Sequence, residues 1–529
     1  MFRRVLRRPL AALAATALLP ALALVASAST ASSASGPDAN RAAPVVRTDS
    51  GLVQGVTADR ADRFLGLPYA APPVRDLRFA PPAAPASWKG VREADQQSPA
   101  CLQFQPSGIR EEQAVSEDCL YLDVYRPSGT KPGAHLPVLV WFHGGANTQG
   151  TGVIYGGGSM ATKSDVIVVT VNYRLGALGF LAHPALSKET PGGSGNYARM
   201  DQVASLEWVQ DNIARFGGDT GNVTIAGQSA GGGAVCDLMA MPSARGLFDK
   251  AAVQSSQCLQ SQSTLAAGEQ SGAGYAEAVG CTDEATVVTC LREAWPGTLI
   301  AHQGDYLGGS KVGGAVLPKT FRQALADGTW NAVPVLTGNT RSENRLASEA
   351  FADLTPEGFE EQVREDYGDR AEQVLQLYPL ADFDNPWDAY TQIRTDVQRA
   401  CTNQQAAQLI SAQAPVYRYE FNDPTSPTLY GFTLPGKDMS NAHSAELAYL
   451  FDFTLGEKPL TARQEKLADQ MIAYWGAFAH SGTPKAKGEP SWPRYTEAAD
   501  WPVMQLRTAG ASKVIDSYSA DHHCDFWLS

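Results

Sequence analysis

The stretch Val223-Thr224-Ile225-Ala226-Gly227-Gln228-Ser229-Ala230-Gly231-Gly232 decides how the rest of the chain is read. A short run rich in β-branched residues enters a G-x-S-x-G pattern, and small residues leave it. The spacing has a chemical reason. A serine on a tight strand-to-helix turn sits in strained backbone, and flanking glycines are needed because larger side chains would clash. Such a turn lifts the hydroxyl above the sheet, and the following helix presents its N-terminus to developing negative charge. A glycine-serine loop without chemistry would need neither the strand before it nor the Ala-Gly-Gly exit. Ser229 is the candidate nucleophile.

Comparable apolar runs lie on either side. Residues 137–142, 166–171, 250–254 and 334–337 read as buried parallel strands, and residues 416–421 are strand-like. Helical patterns separate them. Residues 202–216 are amphipathic, residues 230–241 form a small-residue helix, and residues 464–480 carry an apolar face through Leu467, Met471, Tyr474, Trp475 and Phe478. Strands alternating with helices predict an α/β fold: a mostly parallel central sheet covered by helices on both faces. Residues 260–330 and 345–400 are left over; they look mainly helical and are expected to insert above the strand ends as a cap.

A second glycine signal, Trp141-Phe142-His143-Gly144-Gly145-Ala146, directly follows the run at 137–142. Consecutive glycines there let backbone N–H groups face an oxyanion, so Gly144, Gly145 and the N–H of Ala230 are the candidate donors. His143 reads as a structural residue holding that loop. A serine nucleophile needs a base and a group to orient the base. Of eight histidines, His135 and His183 read as surface turns, His302 falls in the cap and His480 ends a helix. His522 and His523 beside Cys524 suggest a metal only weakly, because two adjacent histidines and one cysteine do not easily face one ion; no metal is expected. His443 lies in a loop after residues 416–421, the position expected of the base. In a Ser, acid, His chain order the acid follows the strand at 334–337, which offers Glu343, with Glu349 as runner-up. A solvated Glu343 paired with Arg341 or Arg345 is the competing reading.

Composition excludes other classes. With 42 Lys and Arg against 55 Asp and Glu, the formal charge of −13 leaves no basic surface to neutralise phosphates, so no nucleic-acid partner is expected. The N-terminus carries Arg3, Arg4, Arg7 and Arg8, then a 17-residue apolar run from Leu10 to Ala26, then Ala26-Ser27-Ala28. That order reads as a secretory signal peptide over residues 1–28, with an uncleaved anchor as the alternative. Its removal takes away four arginines and moves the charge from −13 to −17. Residues 29–44 read as a disordered lead-in, and no second long apolar run follows, so an exported chain without a stable membrane span is expected. Eight cysteines are too few for a disulfide-built scaffold but enough for several bridges in an oxidising compartment.

Several further motifs accompany these. Phe64-Leu65-Gly66-Leu67-Pro68-Tyr69-Ala70, Glu117-Asp118-Cys119-Leu120-Tyr121-Leu122, Asn172-Tyr173-Arg174-Leu175-Gly176 and Phe216-Gly217-Gly218-Asp219 stand in order ahead of the serine. With them the chain resembles the type-B carboxylesterase/lipase family, which includes bacterial para-nitrobenzyl esterases and the cholinesterases. The resemblance covers about residues 45–527 and implies an α/β-hydrolase fold, with residues 45–529 as a single domain. It implies hydrolysis of small-molecule or lipid-like carboxylic esters without a cofactor, through Ser229, Glu343 and His443. It also implies disulfides Cys101–Cys119 and Cys281–Cys290; Cys401 with Cys524, and Cys236 with Cys258, are left as guesses. The chain departs from the family in having Gln228 where Glu is common, Asn344 where Gly follows the acid, and Arg75 where Gly is usual. The cholinesterases carry a Trp in the first disulfide loop; here residues 102–118 have only Phe104 as an aromatic, which argues against choline esters. A lipase acting on long-chain esters and a non-catalytic binding protein on the same fold are the rival readings.

Overall fold

Eleven strands form the main sheet among the described residues. In chain order they are β1 (Val56–Ala58), β2 (Ala61–Pro68), β3 (Tyr121–Pro127), β4 (Leu136–Phe142), β5 (Ile167–Val171), β6 (Gly218–Gln228), β7 (Lys250–Gln254), β8 (Val335–Thr340), β9 (Val416–Phe421), β10 (Val503–Leu506) and β11 (Lys513–Ile515). The computed structural model describes residues 43–103, 114–305, 309–428, 431–452, 459–508 and 510–529. The proposed export signal, most of the lead-in and Phe104 lie outside them.

Across the sheet the strands run β11-β10-β9-β8-β7-β6-β4-β5-β3-β2-β1. The block from β5 to β10 is parallel, and antiparallel strands complete both edges. This is the α/β-hydrolase architecture. The apolar runs have this form because a central parallel strand is covered on both faces. Alternate side chains then serve different layers. Val138, Val140 and Phe142 of β4 join one apolar layer with Ile225 and Val253. Leu139 and Trp141 join the other with Ala226 and Ala252.

Helix α1 (Tyr197–Asn212) lays Val203, Leu206 and Val209 on the first layer. Helix α2 (Ala230–Ala240) follows the serine. Helices α3 (Pro386–Thr395) and α4 (Cys401–Ser411) are joined by a π-helical turn over Asp396–Ala400. Helix α5 (Ala462–Ser481) lays Leu467, Met471, Tyr474, Trp475 and Phe478 on the second layer. Its ends are marked by a Thr461/Gln464 capping box and by Gly482 at φ 71°.

Sequence reading placed one helix over residues 202–216. The structure starts it earlier, at Tyr197, and ends it in a 3₁₀ turn over Ile213–Phe216. The early start has a long-range cause: the Asn196 amide donates to Lys311 O and accepts from Lys311 N, both at 2.8 Å, and so fixes the chain where α1 begins. His183, expected in a surface turn, is buried, and its Nδ1 accepts from Ala185 N at 3.1 Å. Arg75 stands at φ 53°, in the left-handed region where glycine is favoured. Four disulfides are present: Cys101–Cys119, Cys236–Cys258, Cys281–Cys290 and Cys401–Cys524. No helix among the described residues is long and apolar enough to cross a membrane.

Candidate active site

The chain leaves β4 for β5 on one side and later enters β6 on the other, so the carboxyl ends of β4 and β6 flank a switch point in the sheet. Ser229 stands there, at φ 57° and ψ −122°, between β6 and α2. A non-glycine residue in that region stores strain, held in place here by the elements on either side. Ser229 N donates to Gln254 O at 2.9 Å, and Ser229 O accepts from Gly233 N at 2.9 Å. The glycines around it are sterically required. A Cβ on Gly231 would lie 1.9 Å from Phe142 O, and one on Gly227 would lie 2.4 Å from the Gly231 carbonyl carbon.

Glu343 opens a 3₁₀ turn just beyond β8, and His443 lies in the loop after β9. The two loops are zipped together by backbone bonds, Ser342 N to Asn441 O at 3.1 Å and His443 N to Glu343 O at 3.2 Å. Asn441 at φ 54° and Ser444 at φ 73° bend the chain on either side of the imidazole. His443 Nδ1 then meets Glu343 Oε2 at 2.5 Å. The carboxylate is fully buried, and its Oε1 accepts from Thr340 N at 2.8 Å. Burial pushes Glu343 up, but the His443 charge and hydrogen bond, Arg399 and Ser255 outweigh it and hold the group at about 2. The two arginines that could have claimed Glu343 are engaged elsewhere. Arg341 pairs with Glu420 and Asp521, and Arg345 pairs with Asp388 and Asp438. Glu349, the runner-up, is exposed on a separate turn.

On its far side His443 Nε2 meets the Gln228 amide Nε2 at 3.3 Å. With Nδ1–H donating to Glu343, Nε2 carries the lone pair and accepts from that amide. Among the described residues no hydrogen bond joins Ser229 Oγ to His443; such bonds often close only when substrate is present. Sequence reading took Gln228 as the loss of a carboxylate beside the serine that would favour a cationic substrate; the structure places its amide against the imidazole.

The glycine loop begins at the carboxyl end of β4. His143 Nδ1–H donates to Gly144 O at 2.7 Å, its ring stacks on Tyr173 at 4.3 Å, and Tyr173 Oη donates to His143 O at 2.6 Å. Burial lowers His143 to about 4, so it is neutral at pH 7 and acts as a strut. Among the described residues the N–H groups of Gly144 and Gly145 donate to no backbone carbonyl or side chain, and Ala230 N–H, first in α2, has no intrahelical partner. Gly144 approaches the serine so closely that an added Cβ would lie 3.2 Å from Ser229 Cβ.

The profile of the carboxylesterase family matches residues 42–527. The chain belongs to the carboxylesterase family. It is 34% identical over 483 residues to a fumonisin B1 esterase of Sphingopyxis macrogoltabida, spanning 85% of this chain and 84% of that one. It is 31% identical to a cocaine esterase of Homo sapiens, spanning 93% and 92% of the two chains. A medium-chain fatty acyl-CoA hydrolase precursor of Anas platyrhynchos is 33% identical over 92% of each chain. Among solved structures, a PNB esterase superposes with a TM-score of 0.75 at 30% identity, covering 91% of this chain and 99% of its own. The chain is thus a serine carboxylesterase acting on small-molecule esters.

In this carboxylesterase the serine opens onto a cavity of about 350 Å³. Its lining is mainly polar and includes Asn147, Ser256, Gln257, Gln260 and Gln262. The Cys236–Cys258 bridge forms part of the wall. Of the remaining histidines, His522 is fully buried between Asp396 and Glu420, with Nδ1 at 2.5 Å from Asp396 Oδ1 and Nε2 at 2.8 Å from Glu420 Oε1. Its neighbour Cys524 is disulfide-bonded. Among the described residues no group of three or more His, Cys, Asp or Glu is placed to hold a metal ion.

Proposed function

We propose that Ser229, His443 and Glu343 form the catalytic triad and that the ester is cleaved through an acyl-enzyme. His443 Nε2 takes the proton from Ser229 as Oγ attacks the ester carbonyl. Glu343 fixes the imidazole with its proton on Nδ1 and stabilises the imidazolium that forms. The N–H groups of Gly144, Gly145 and Ala230 receive the developing oxyanion. His443 then protonates the departing alcohol, and water activated by the same imidazole releases the acid. The observation that carries this reading is the 2.5 Å bond between His443 and a Glu343 that stays ionised despite full burial.

Two further points support the finer reading. The polar lining of the cavity favours short or polar esters over long aliphatic ones, which a chain-length series of p-nitrophenyl esters tests directly. The basic, apolar and small-residue order of residues 1–28, together with four disulfides, supports export to an oxidising compartment. The decisive experiment compares wild type with Ser229→Ala on a p-nitrophenyl acyl ester. Hydrolysis should fall to background, and unchanged turnover would end the assignment.

A further inference from the structure

The cavity at Ser229 holds more positive charge than an acidic chain leads one to expect. Three of its lining residues are cationic, Arg199, Lys311 and Arg399, against one carboxylate, Asp237. Asp237 is already spoken for. Arg199 Nε donates to it at 2.8 Å, Gln262 Nε2 at 2.6 Å and Ser310 Oγ at 2.6 Å, and both members of the Arg199–Asp237 pair are buried. That pair cancels, which leaves on the described lining Arg399 and Lys311, whose ammonium burial lowers to about 8, while the whole chain carries −13.

Each of the two is built in. Lys311 is almost fully buried, its Nζ donating to Gly309 O at 2.5 Å. Added Cβ atoms on Gly195 and Gly268 would lie 2.8 Å and 2.7 Å from its stem, so the chain leaves room for this side chain and no larger neighbours. Arg399 is half-buried on the π-helical turn between α3 and α4. Such turns interrupt a helix at a cost and recur at functional sites. Among the described residues the Arg399 guanidinium makes no hydrogen bond and no ion pair. A planar, always-charged fork without a partner on a cavity wall is suited to a carboxylate. Glu343 is within its electrostatic reach but is committed to His443.

We infer that this cavity selects esters that bear a second, free carboxylate, which Arg399 binds and Lys311 attracts. The inference rests on Ser229 being the nucleophile and adds the substrate class. A charge-assisted hydrogen bond is worth about 10- to 100-fold in binding. The test pairs mono-p-nitrophenyl adipate with p-nitrophenyl hexanoate, each corrected for spontaneous hydrolysis. Wild type should favour the anionic ester in kcat/KM by at least about tenfold. Arg399→Gln and Lys311→Met should each lower that ratio by about tenfold, Arg399→Lys should recover part of it, and added salt should compress it. Loss of the Arg399 field at Glu343 would lower both rates together, so the ratio is the quantity to read. A wild type that prefers the neutral ester, or a ratio that Arg399→Gln leaves unchanged, overturns the inference while Ser229 keeps its role. If wild type hydrolyses neither ester faster than Ser229→Ala, the triad reading fails and the inference falls with it.

Discussion

Replacing Glu343 by Gln tests the orientation of the base more sharply than removing a side chain would. The two carboxylate oxygens have different partners. Oε1 accepts from Thr340 N–H at 2.8 Å, and Oε2 faces His443 Nδ1 at 2.5 Å. A glutamine in the same rotamer must keep its carbonyl oxygen toward Thr340 N–H, because an amide NH₂ there would set donor against donor. Its NH₂ then faces Nδ1, which becomes an acceptor, and the imidazole proton moves to Nε2. That tautomer cannot take a proton from Ser229. The corresponding amide exchange in a serine-protease triad costs about 10⁴ in kcat, or about 5.5 kcal/mol at 1.36 kcal/mol per tenfold. The same loss is expected here in kcat, with KM little changed, in a steady-state p-nitrophenyl acetate assay at pH 7.5. Glu349→Gln is the control, since Glu349 is exposed and outside the site. A loss below about tenfold in Glu343→Gln, or an equal loss in Glu349→Gln, would refute the tautomer argument. Glu343 sits below its ordinary value, so its contribution to stability is present above about pH 4.5 and lost as the pH falls toward about 2. The melting-temperature gap between Glu343→Gln and wild type should close over that window.

Gly231→Ala should abolish soluble expression or lower the melting temperature by many degrees, because its Cβ would lie 1.9 Å from Phe142 O, a backbone atom of the central sheet. Gln228→Glu should shift the acid limb of the kcat/KM profile to higher pH, since a carboxylate against His443 Nε2 favours the protonated imidazole; an unmoved profile would show that the 3.3 Å contact has no electrostatic weight. Burial and then the neighbouring Glu343 raise Glu446 to about 8. Its contribution to stability is therefore present below about pH 4.5 and lost as the pH rises through about 8. Glu446→Gln removes that loss, so its melting temperature relative to wild type should climb by a few degrees between pH 5 and pH 9.

What could be read from the chain and what could not divide along a physical line. The strands at residues 250–254 and 416–421 were legible to the residue, because turn residues bound short runs of mostly apolar or aromatic side chains, although Lys250, Gln254, Arg418 and Glu420 are buried with them. Ser229 and its glycines were legible because the constraint is local: a Cβ at Gly227 or Gly231 collides with atoms only a few residues away or on the adjoining strand. Glu343 could be placed only as the carboxylate after a strand; that Arg341 and Arg345 turn to other acids depends on Glu420, Asp388 and Asp438, which no spacing connects to it. The start of α1 depends likewise on Asn196 meeting Lys311, 115 residues away. The charged lining of the cavity is the extreme case. Arg199, Lys311 and Arg399 come from three separate segments, and none carries a pattern that marks it. The residues that make a serine reactive obey backbone geometry and so leave a local signature. Residues that line a pocket need only reach a common volume, so sequence reading singled out Ser229 as the candidate nucleophile and passed over Arg399, which lines the same cavity.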